Sequence, residues 1–385
     1  MFEPLADLDR HAAERPDQVA LATPRQSYTF GQLQTASVAV SARLHEAGVR
    51  QGSVVAVDLP TAVEWIVDLA LFRLAATSVS IRGVKDPGSL GPDVLITAPG
   101  RRAVASRLVV EVDELWLDHS VALAPDAPPV SDFAGDETIF RLILTSGTTG
   151  GAPKAAAYSV GALRHRSAGQ HAHWTDARPE LTLIGLSTTG GFHAAIACLR
   201  LGVPYLAVDG IDADALRLAA TQNIEVLCGS PAQITSAIRV IADAGITFPA
   251  LAEVRLAGAG PSAALLELII ATFGAPVQGV YGSTEGGGVS QLWLQPGGNR
   301  FEVGAALTGV ELEIVDDLGM PLPTGTEGLV RYRTLGLVSG YLVDGIVEPF
   351  PDGWFVPGDL GTLSADGALV LGGRDSELFN LGGVK

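Results

Sequence analysis

A run rich in glycine and hydroxyl side chains follows an apolar segment that ends near Leu144. Of the ten residues from Thr145 to Lys154, seven are Gly, Ser or Thr. Glycines let successive backbone N–H groups converge on an anion, and hydroxyl groups add further donors. The lysine at the end of the run supplies a positive charge for a polyphosphate. The run therefore predicts a phosphate-binding loop.

The run is not a Walker loop, because that loop requires Gly-Lys-Ser or Gly-Lys-Thr, and here Pro153 and Ala155 flank Lys154. A flexible surface loop is the simpler alternative. It accounts for the glycines, but not for three threonines, a serine and a terminal lysine placed directly after a buried strand. A phosphate loop of another kind is the better prediction.

Oxygen-bearing side chains occur in two further segments. Thr284 and Glu285 pair a hydroxyl with a carboxylate, which suits a hard Mg²⁺ ion that bridges phosphates. Asp359 ends an apolar run at a glycine turn and can accept two hydrogen bonds from a diol. A solvated turn aspartate is the alternative for Asp359. Tyr281, taken alone, predicts core packing more readily than a surface for a purine.

A second glycine-rich segment, from Gly258 to Ala263, follows a predicted strand and opens a predicted helix. It fits the G-x-G-x-x-A pattern of dinucleotide-binding folds. An NAD site would require an acidic residue at the end of the next strand, which ends instead in Tyr281 and Gly282. A serine hydrolase is also disfavoured, because the chain contains no G-x-S-x-G elbow.

In chain order, these segments resemble the motifs of the adenylate-forming superfamily of acyl-CoA synthetases, peptide-synthetase adenylation domains and luciferases. Residues 281–285 are similar to its Y-G-x-T-E motif, and residues 353–360 to its G-W-x-x-T-G-D stretch. Residues 373–383 are similar to the hinge before a small C-terminal lid. The resemblance covers essentially all 385 residues. It implies ATP-dependent activation of an acid as its acyl-AMP, with release of pyrophosphate.

The resemblance also implies roles for the matching residues. Tyr281 would stack on adenine, Asp359 would bind the ribose hydroxyls, and Glu285 would help to hold Mg²⁺. The predicted catalytic residues are Thr145, Lys154, Thr284 and Glu285. The predicted nucleotide-binding residues are Thr145, Ser146, Gly147, Thr148, Thr149, Gly150, Lys154, Gly258, Ala259, Gly260, Tyr281, Gly282, Ser283, Thr284, Asp359 and Arg374.

The acid pocket is predicted less specifically. Peptide-synthetase domains place an aspartate after a phenylalanine to hold an α-ammonium group, whereas His193 follows Phe192 here, which disfavours an α-amino acid. Two registers are open, because either His193 or Thr188 matches the histidine of acyl and aryl synthetases. A lone helical histidine is more often structural than catalytic. The predicted pocket residues are Thr188, Gly190, His193, Gly229, Ser230, Gly258, Gly282 and Gly286.

The implied substrates are ATP with Mg²⁺, a short or aromatic acid, and the thiol of CoA or of a carrier protein as acceptor. A long-chain acid is disfavoured by the compact segments 81–95 and 190–202. Three alternatives stay open: an enzyme that passes the adenylate to an amine, one that activates an unusual oxyacid, and a non-catalytic nucleotide-binding module. The chain stops shortly after Gly383, so we expect it to lack the lid with its catalytic lysine and to adenylate slowly.

Apolar periodicity places these segments on an α/β framework. Phe30, Leu33, Val40 and Leu44 recur at helical spacing, and short buried strands alternate with such helices as in covered parallel sheets. We predict two layered, mostly parallel βαβ subdomains, 1–135 and 136–290, and a small β-rich subdomain, 291–372. Together they form the large domain of residues 1–372, and residues 373–385 form the hinge.

Composition and charge disfavour several other classes of protein. The net charge of −17 and the pI near 4.7 leave no basic surface for nucleic acid. The first ten residues carry acids and no apolar run, which disfavours a signal peptide, and the longer apolar stretches are too short for a membrane span. Cys198 and Cys228 lack metal-site spacing, so we expect reduced, buried thiols in a cytoplasmic protein.

Overall fold

The computed structural model describes residues 2–84, 90–101, 104–113, 116, 131–145, 153–168 and 177–374. The helices in these ranges are α1 (Glu3–Glu14), α2 (Phe30–Glu46), α3 (Thr61–Arg73), α4 (Val160–Ser167), α5 (Thr189–Leu201), α6 (Ala213–Thr221), α7 (Pro231–Ala244) and α8 (Ala263–Phe273). None of these helices is both long enough and apolar enough to cross a membrane.

About half of the strands in these ranges directly precede or follow one of these helices. The strands are β1 (Val19–Ala22), β2 (Ser27–Thr29), β3 (Val54–Asp58), β4 (Thr77–Ser80), β5 (Val94–Thr97), β6 (Leu108–Glu111), β7 (Ile139–Thr145), β8 (Lys154–Ser159), β9 (Glu180–Thr182), β10 (Tyr205–Leu206), β11 (Val226–Gly229), β12 (Glu253–Ala257), β13 (Val277–Ser283), β14 (Gly287–Leu294), β15 (Glu302–Ala305), β16 (Val310–Val315), β17 (Gly328–Thr334), β18 (Tyr341–Val343), β19 (Ile346–Glu348), β20 (Asp359–Leu363) and β21 (Ala368–Arg374).

Four sheets organise these strands. The eight-stranded sheet has the order β19-β18-β8-β7-β4-β3-β5-β6, and its strands β3 to β7 are parallel. A five-stranded sheet, which we call the pocket sheet because it lines the cavity described below, has the order β14-β13-β12-β11-β9. Its strands are parallel except for β14. The antiparallel sheet has the order β15-β21-β20-β17-β16, and the three-stranded sheet the order β10-β1-β2.

Local sequence signals explain where the helices begin. Thr29 and Gln32 form a reciprocal capping box at the start of α2, and Ser230 and Gln233 form another at the start of α7. Ser262 accepts a hydrogen bond from a backbone N–H group of α8. Each of these caps lies at the end of a strand or a few residues after it, so the chain changes from strand to helix within a short segment.

An aromatic cluster joins the eight-stranded sheet to the helices that cover it. The ring of Phe140 on β7 lies 5.7 Å from that of Phe72 on α3, 5.1 Å from that of Tyr158 on β8 and 6.0 Å from that of Phe192 on α5. All four side chains are fully buried. The cluster fixes α5, and therefore fixes His193, the residue after Phe192.

The predicted α/β class, with largely parallel sheets and a separate antiparallel sheet toward the C-terminal end, is confirmed. The sheets do not divide at the predicted subdomain boundaries. The boundary at residue 135 separates β4 from β7, although these strands are neighbours, and the boundary at residue 290 cuts β14. Residues 341–348 also return to the eight-stranded sheet. Paired strands therefore lie on both sides of the predicted subdomain boundaries.

Candidate active site

The predicted phosphate loop connects two paired strands. Thr145, the last residue of β7, lies opposite Lys154, the first residue of β8, in an antiparallel hairpin. Five predicted loop residues lie outside the described residues: Ser146, Gly147, Thr148, Thr149 and Gly150. Both ends of the loop are thus held at one edge of the eight-stranded sheet.

Lys154 is linked to the predicted magnesium ligand through a tyrosine that sequence reasoning missed. The Lys154 ammonium lies 4.9 Å from the centre of the Tyr341 ring. The Tyr341 hydroxyl donates a 2.6 Å hydrogen bond to Glu285 Oε1. Burial raises the pKa of Tyr341, and the nearby Glu285 carboxylate raises it further, so the hydroxyl remains a donor. The three side chains form one connected row.

Ser283 holds the turn that carries Thr284 and Glu285. Its Oγ accepts hydrogen bonds from the backbone N–H groups of Glu285 at 3.0 Å and Gly286 at 3.1 Å. The buried Tyr332 hydroxyl donates to the same atom at 2.8 Å. A Cβ atom on Gly286 would overlap the Tyr332 ring. Gly286 therefore faces Tyr332, and this contact explains why the turn needs a glycine there.

Tyr281 and Asp359 meet across two sheets. The Tyr281 hydroxyl on β13 donates a 2.7 Å hydrogen bond to Asp359 Oδ2 on β20. Asp359 is buried, and the backbone of Arg374 lies opposite it on β21. The structure thus brings together two residues that the sequence assigned to adenine and ribose, although 78 positions separate them.

A cavity of about 660 Å³ adjoins this turn and extends over one face of the pocket sheet from the carboxyl ends of its parallel strands. Ligands of open α/β sheets commonly bind at this edge. Several residues assigned to the pocket or to the nucleotide line the cavity, namely Thr188, Gly190, His193, Ser230, Gly258, Gly282, Ser283 and Thr284. Gly258 has φ +87°, a backbone conformation that favours glycine.

The predicted residues that do not line this cavity include Gly229, Gly286, Ala259 and Gly260. Gly229 faces α7, because a Cβ atom there would lie 3.2 Å from Ile234 Cδ1. Gly286 packs against Tyr332. Ala259 and Gly260 are exposed in the turn between β12 and α8. Gly229 and Gly286 are therefore outside the lining of this cavity, and their predicted role in the acid pocket stays a prediction.

Both candidate registers of the acid pocket lead to the same cavity. The Thr188 hydroxyl caps α5 by accepting from the backbone N–H group of Gly191, 3.2 Å away. Gly190 and His193, three residues apart on α5, face the cavity together. Thr188 and His193 therefore line the same cavity, and its lining does not select one of the two registers.

Two hydrogen-bond donors contact Nε2 of His193. Its Nε2 lies 2.6 Å from the Tyr158 hydroxyl and 3.5 Å from Arg166 Nη1. Burial raises the pKa of Tyr158, and a guanidinium can only donate, so Nε2 is the acceptor and the proton of a neutral ring resides on Nδ1. The histidine is therefore oriented by a network and is not an isolated core residue.

Arg166, the last but one residue of α4, carried no signal in the sequence. Its guanidinium is buried and donates to the carbonyl oxygens of Glu285 and Gly336, each at 2.5 Å. It also lies over the Tyr158 ring, 4.7 Å from the ring centre. Burial lowers the pKa of Arg166, but guanidinium groups stay protonated in proteins. Arg166 thus connects the Glu285 turn to His193.

The hairpin that carries the predicted phosphate loop, the turn that carries Glu285 and the cavity beside that turn are features expected of an enzyme that brings a nucleotide to a small molecule. The sequence model of one family, described as AMP-binding enzymes, matches residues 8–84 and 85–342, and the chain belongs to this family. The predicted superfamily and enzyme class, an AMP-forming acid ligase, are confirmed.

Curated relatives extend over nearly the whole chain. Indoleacetate–CoA ligase from Aromatoleum aromaticum is 28% identical, over 98% of this chain and 79% of its own length. A 2-succinylbenzoate–CoA ligase from Bacillus cereus is 27% identical, over 96% of this chain and 78% of its own length.

Solved structures show the same fold. O-succinylbenzoate coenzyme A synthetase from Bacillus subtilis, in complex with AMP, has a TM-score of 0.81 at 21% identity, over 97% of this chain and 79% of that one. The N-terminal domain of FACL13 from Mycobacterium tuberculosis also has a TM-score of 0.81 at 21% identity, over 97% of this chain and all of that one.

Proposed function

We propose that this chain adenylates a small aryl or short acyl carboxylic acid with ATP and then transfers the acyl group to the thiol of CoA. One carboxylate oxygen attacks the α-phosphorus, the bond to the bridging oxygen breaks, and pyrophosphate leaves. The thiolate of CoA then attacks the acyl carbonyl carbon, and AMP leaves. CoA is preferred to a carrier-protein thiol because both curated relatives described above are named as CoA ligases.

The observation that carries this proposal is that residues from two predicted sets line one shared cavity. Ser283 and Thr284, assigned to the nucleotide, and His193 and Ser230, assigned to the acid, line the same space. Transfer between two bound molecules gains most of its rate from holding them in line and close together. An acid in this cavity would have its carboxylate beside the turn that binds the α-phosphate.

The nucleotide would bind along the edge from Lys154 to Asp359. Lys154 and the loop would hold the β- and γ-phosphates, Thr284 the α-phosphate and Tyr281 the adenine. Asp359 would accept hydrogen bonds from the ribose. These are roles we propose for the residues, and the Tyr281–Asp359 hydrogen bond supports them by placing the two groups side by side.

Glu285 suits a magnesium ion that is shared with phosphates. Within the described ranges, no group of three or more His, Cys, Asp or Glu side chains could hold a metal ion by itself. Mg²⁺ needs only one or two carboxylates when phosphates supply the other oxygens. When bound, the ion would neutralise phosphate charge, and the Tyr341 hydroxyl would keep Glu285 oriented toward it.

An ATP–pyrophosphate exchange assay on the 385-residue chain, combined with mass spectrometry of the products, tests the proposal. We expect slow pyrophosphate exchange and slow formation of AMP and an acyl-CoA with aryl or short acyl acids, and no exchange with α-amino acids. A preference for α-amino acids would overturn the proposed substrate class. Tight nucleotide binding without exchange or acyl-adenylate for any acid would favour a non-catalytic binding module.

A further inference from the structure

One face of the pocket sheet is polar although it lies inside the molecule. Thr182, Cys228, Arg255 and Gln278 stand side by side on β9, β11, β12 and β13 in the register of the sheet. All four line the cavity, as does Glu180 at the start of β9. The alternate residues of the same strands are apolar and pack on the opposite face against α7 and α8. We call Glu180, Thr182, Cys228, Arg255 and Gln278 the polar wall.

The charged groups of the wall are already paired with one another. Arg255 donates from Nε to Glu253 Oε1 at 3.0 Å and from Nη1 to Glu180 Oε2 at 3.2 Å. Arg178 donates to Glu253 Oε2 at 2.7 Å. Two guanidinium groups therefore face two carboxylates, and their formal charges cancel. The wall presents no net charge to a ligand.

Gln278 is the wall residue with hydrogen-bonding capacity left over. Its Oε1 accepts from Arg255 Nε at 3.3 Å, and because a guanidinium only donates, this contact fixes the orientation of the amide. Nε2 donates to none of the described residues. The side chain is 5% exposed, and it faces the cavity. The Nε2 hydrogens are therefore available to an acceptor atom of a ligand in the cavity.

The Glu180 carboxyl group is a second polar group of the wall that a ligand could contact. Its Oε2 is bonded to Arg255, and Oε1 accepts from none of the described residues. Burial raises the pKa of the Glu180 carboxyl, whereas Arg255 lowers it. An additional anion here would raise the pKa of Glu180 further, because like charges disfavour each other. The wall therefore disfavours a second carboxylate.

The wall lies at the far end of the cavity from the reacting edge. Gln278 precedes Gly282 by four residues on β13, and Arg255 precedes Gly258 by three. Strands rise about 3.3 Å per residue, so the wall is about 10–13 Å from that edge. This depth accommodates one aromatic ring or a short chain between the carboxylate and the wall.

We propose that the polar wall selects acids whose end remote from the carboxylate carries a neutral hydrogen-bonding group, such as a hydroxyl. The proposal rests on the proposed function. A hydroxyl group accepts from Gln278 Nε2 and donates to Glu180, so it satisfies both. A hydrocarbon end leaves buried polar groups unpaired, and sites built to bind a hydroxyl reject analogues that lack it.

Binding of stable acyl-adenylate mimics to the 385-residue chain tests the proposal without requiring turnover. The probes are acyl-sulfamoyl adenosines made from 4-hydroxybenzoate, 4-methylbenzoate and terephthalate, and from 5-hydroxypentanoate and hexanoate. Within each pair of similar shape, we expect the hydroxyl compound to bind at least tenfold more tightly, measured by calorimetry. Equal or tighter binding of both methyl compounds, or tightest binding of the terephthalate compound, would overturn the proposal. Failure of all five to bind would overturn the proposed function as well.

A matched pair of variants assigns the preference to the wall. Gln278→Met keeps the length of the side chain and removes the amide, so the hydroxyl-to-methyl preference should fall at least fivefold. Gln291→Met makes the same change on β14, at the level of Val280 in the same cavity, and should retain the preference. Thermal melting checks that both variants fold. An unchanged preference in folded Gln278→Met would overturn the assignment.

Discussion

The Tyr341 hydroxyl lies 2.6 Å from Glu285 Oε1, although the two residues are 56 positions apart in the chain. Tyr341 reaches Glu285 because β18 pairs with β8, the strand that begins at Lys154. One tyrosine thus contacts both the lysine that ends the predicted phosphate loop and the carboxylate predicted to hold magnesium. The arrangement ties the two halves of the proposed nucleotide site together.

Replacing Tyr341 by phenylalanine tests this link. Tyr341→Phe removes the hydroxyl but keeps the ring beside Lys154. We expect the Kd for MgATP to rise about tenfold, because a hydrogen bond to a charged group contributes about 1.5–3 kcal/mol. Calorimetric titration measures the change. Tyr28→Phe is the control, since the Tyr28 hydroxyl bonds to Gln26 and lies outside the proposed site. An unchanged Kd in Tyr341→Phe would show that the contact is only structural.

Asp359 provides a test of the proposed ribose site. Asp359→Asn keeps the shape but replaces a charged acceptor by a neutral amide, which binds a diol more weakly. We expect the Kd for AMP to rise about tenfold, and the preference for AMP over its 2′,3′-dideoxy analogue to shrink. Competition binding with the two nucleotides gives both values. If the variant loses affinity for both nucleotides equally, Asp359 acts through the Tyr281 hydrogen bond and not through the ribose.

Gly286 tests how closely the Glu285 turn packs against Tyr332. Gly286→Ala places a methyl group against the ring of a fully buried side chain, so we expect a loss of about 1–3 kcal/mol in the free energy of unfolding. Urea denaturation measures it. Gly135→Ala is the matched control, because a Cβ atom there meets no neighbour within 4 Å. Equal stability of the two variants would mean that Tyr332 moves aside at no cost.

The sequence predicted the parts of the site that are local. Strand, glycine turn and helix cap follow one another within a few residues at Gly258 and Ser262, and the Thr284–Glu285 pair is adjacent in the chain. The conformation of such segments is determined by local backbone preferences and by hydrogen bonds between residues close in the chain. It can therefore be predicted from the sequence. The same locality explains why both Thr188 and His193 could be suggested, since they lie on one short helical segment.

The sequence did not predict the residues that act across elements. Tyr341, Tyr158 and Arg166 reach Glu285 and His193 only because β18, β8 and α4 pack together. The polar wall was also missed, because its residues come from four strands and become neighbours only through sheet register. Pairing between strands distant in the chain leaves little trace in a single sequence.

A buried carboxyl group on α3 should make the stability of the fold depend on pH. Glu64 and Asp68 lie 3.6 Å and 2.7 Å from the guanidinium nitrogens of Arg141. Burial, reinforced by the nearby Asp68, raises the pKa of Glu64 to about 8, although Arg141 opposes the shift. In the unfolded chain, this carboxyl group titrates at its ordinary value of 4.5.

Replacing Glu64 by glutamine should therefore change how stability depends on pH. Between about pH 4.5 and pH 8, the folded state retains a proton that the unfolded state has released, so its stability falls as pH rises through this window. Glutamine does not titrate, and the free energy of unfolding of Glu64→Gln minus that of the original chain should rise by about 1–3 kcal/mol from pH 5 to pH 8. Urea denaturation at several pH values measures the difference. Glu311→Gln is the control: Arg333 lowers the pKa of this exposed carboxyl group, so it titrates below the window. A difference for Glu64→Gln that stays constant across the window would mean that Glu64 is ionised in the folded protein, with Arg141 compensating for its burial.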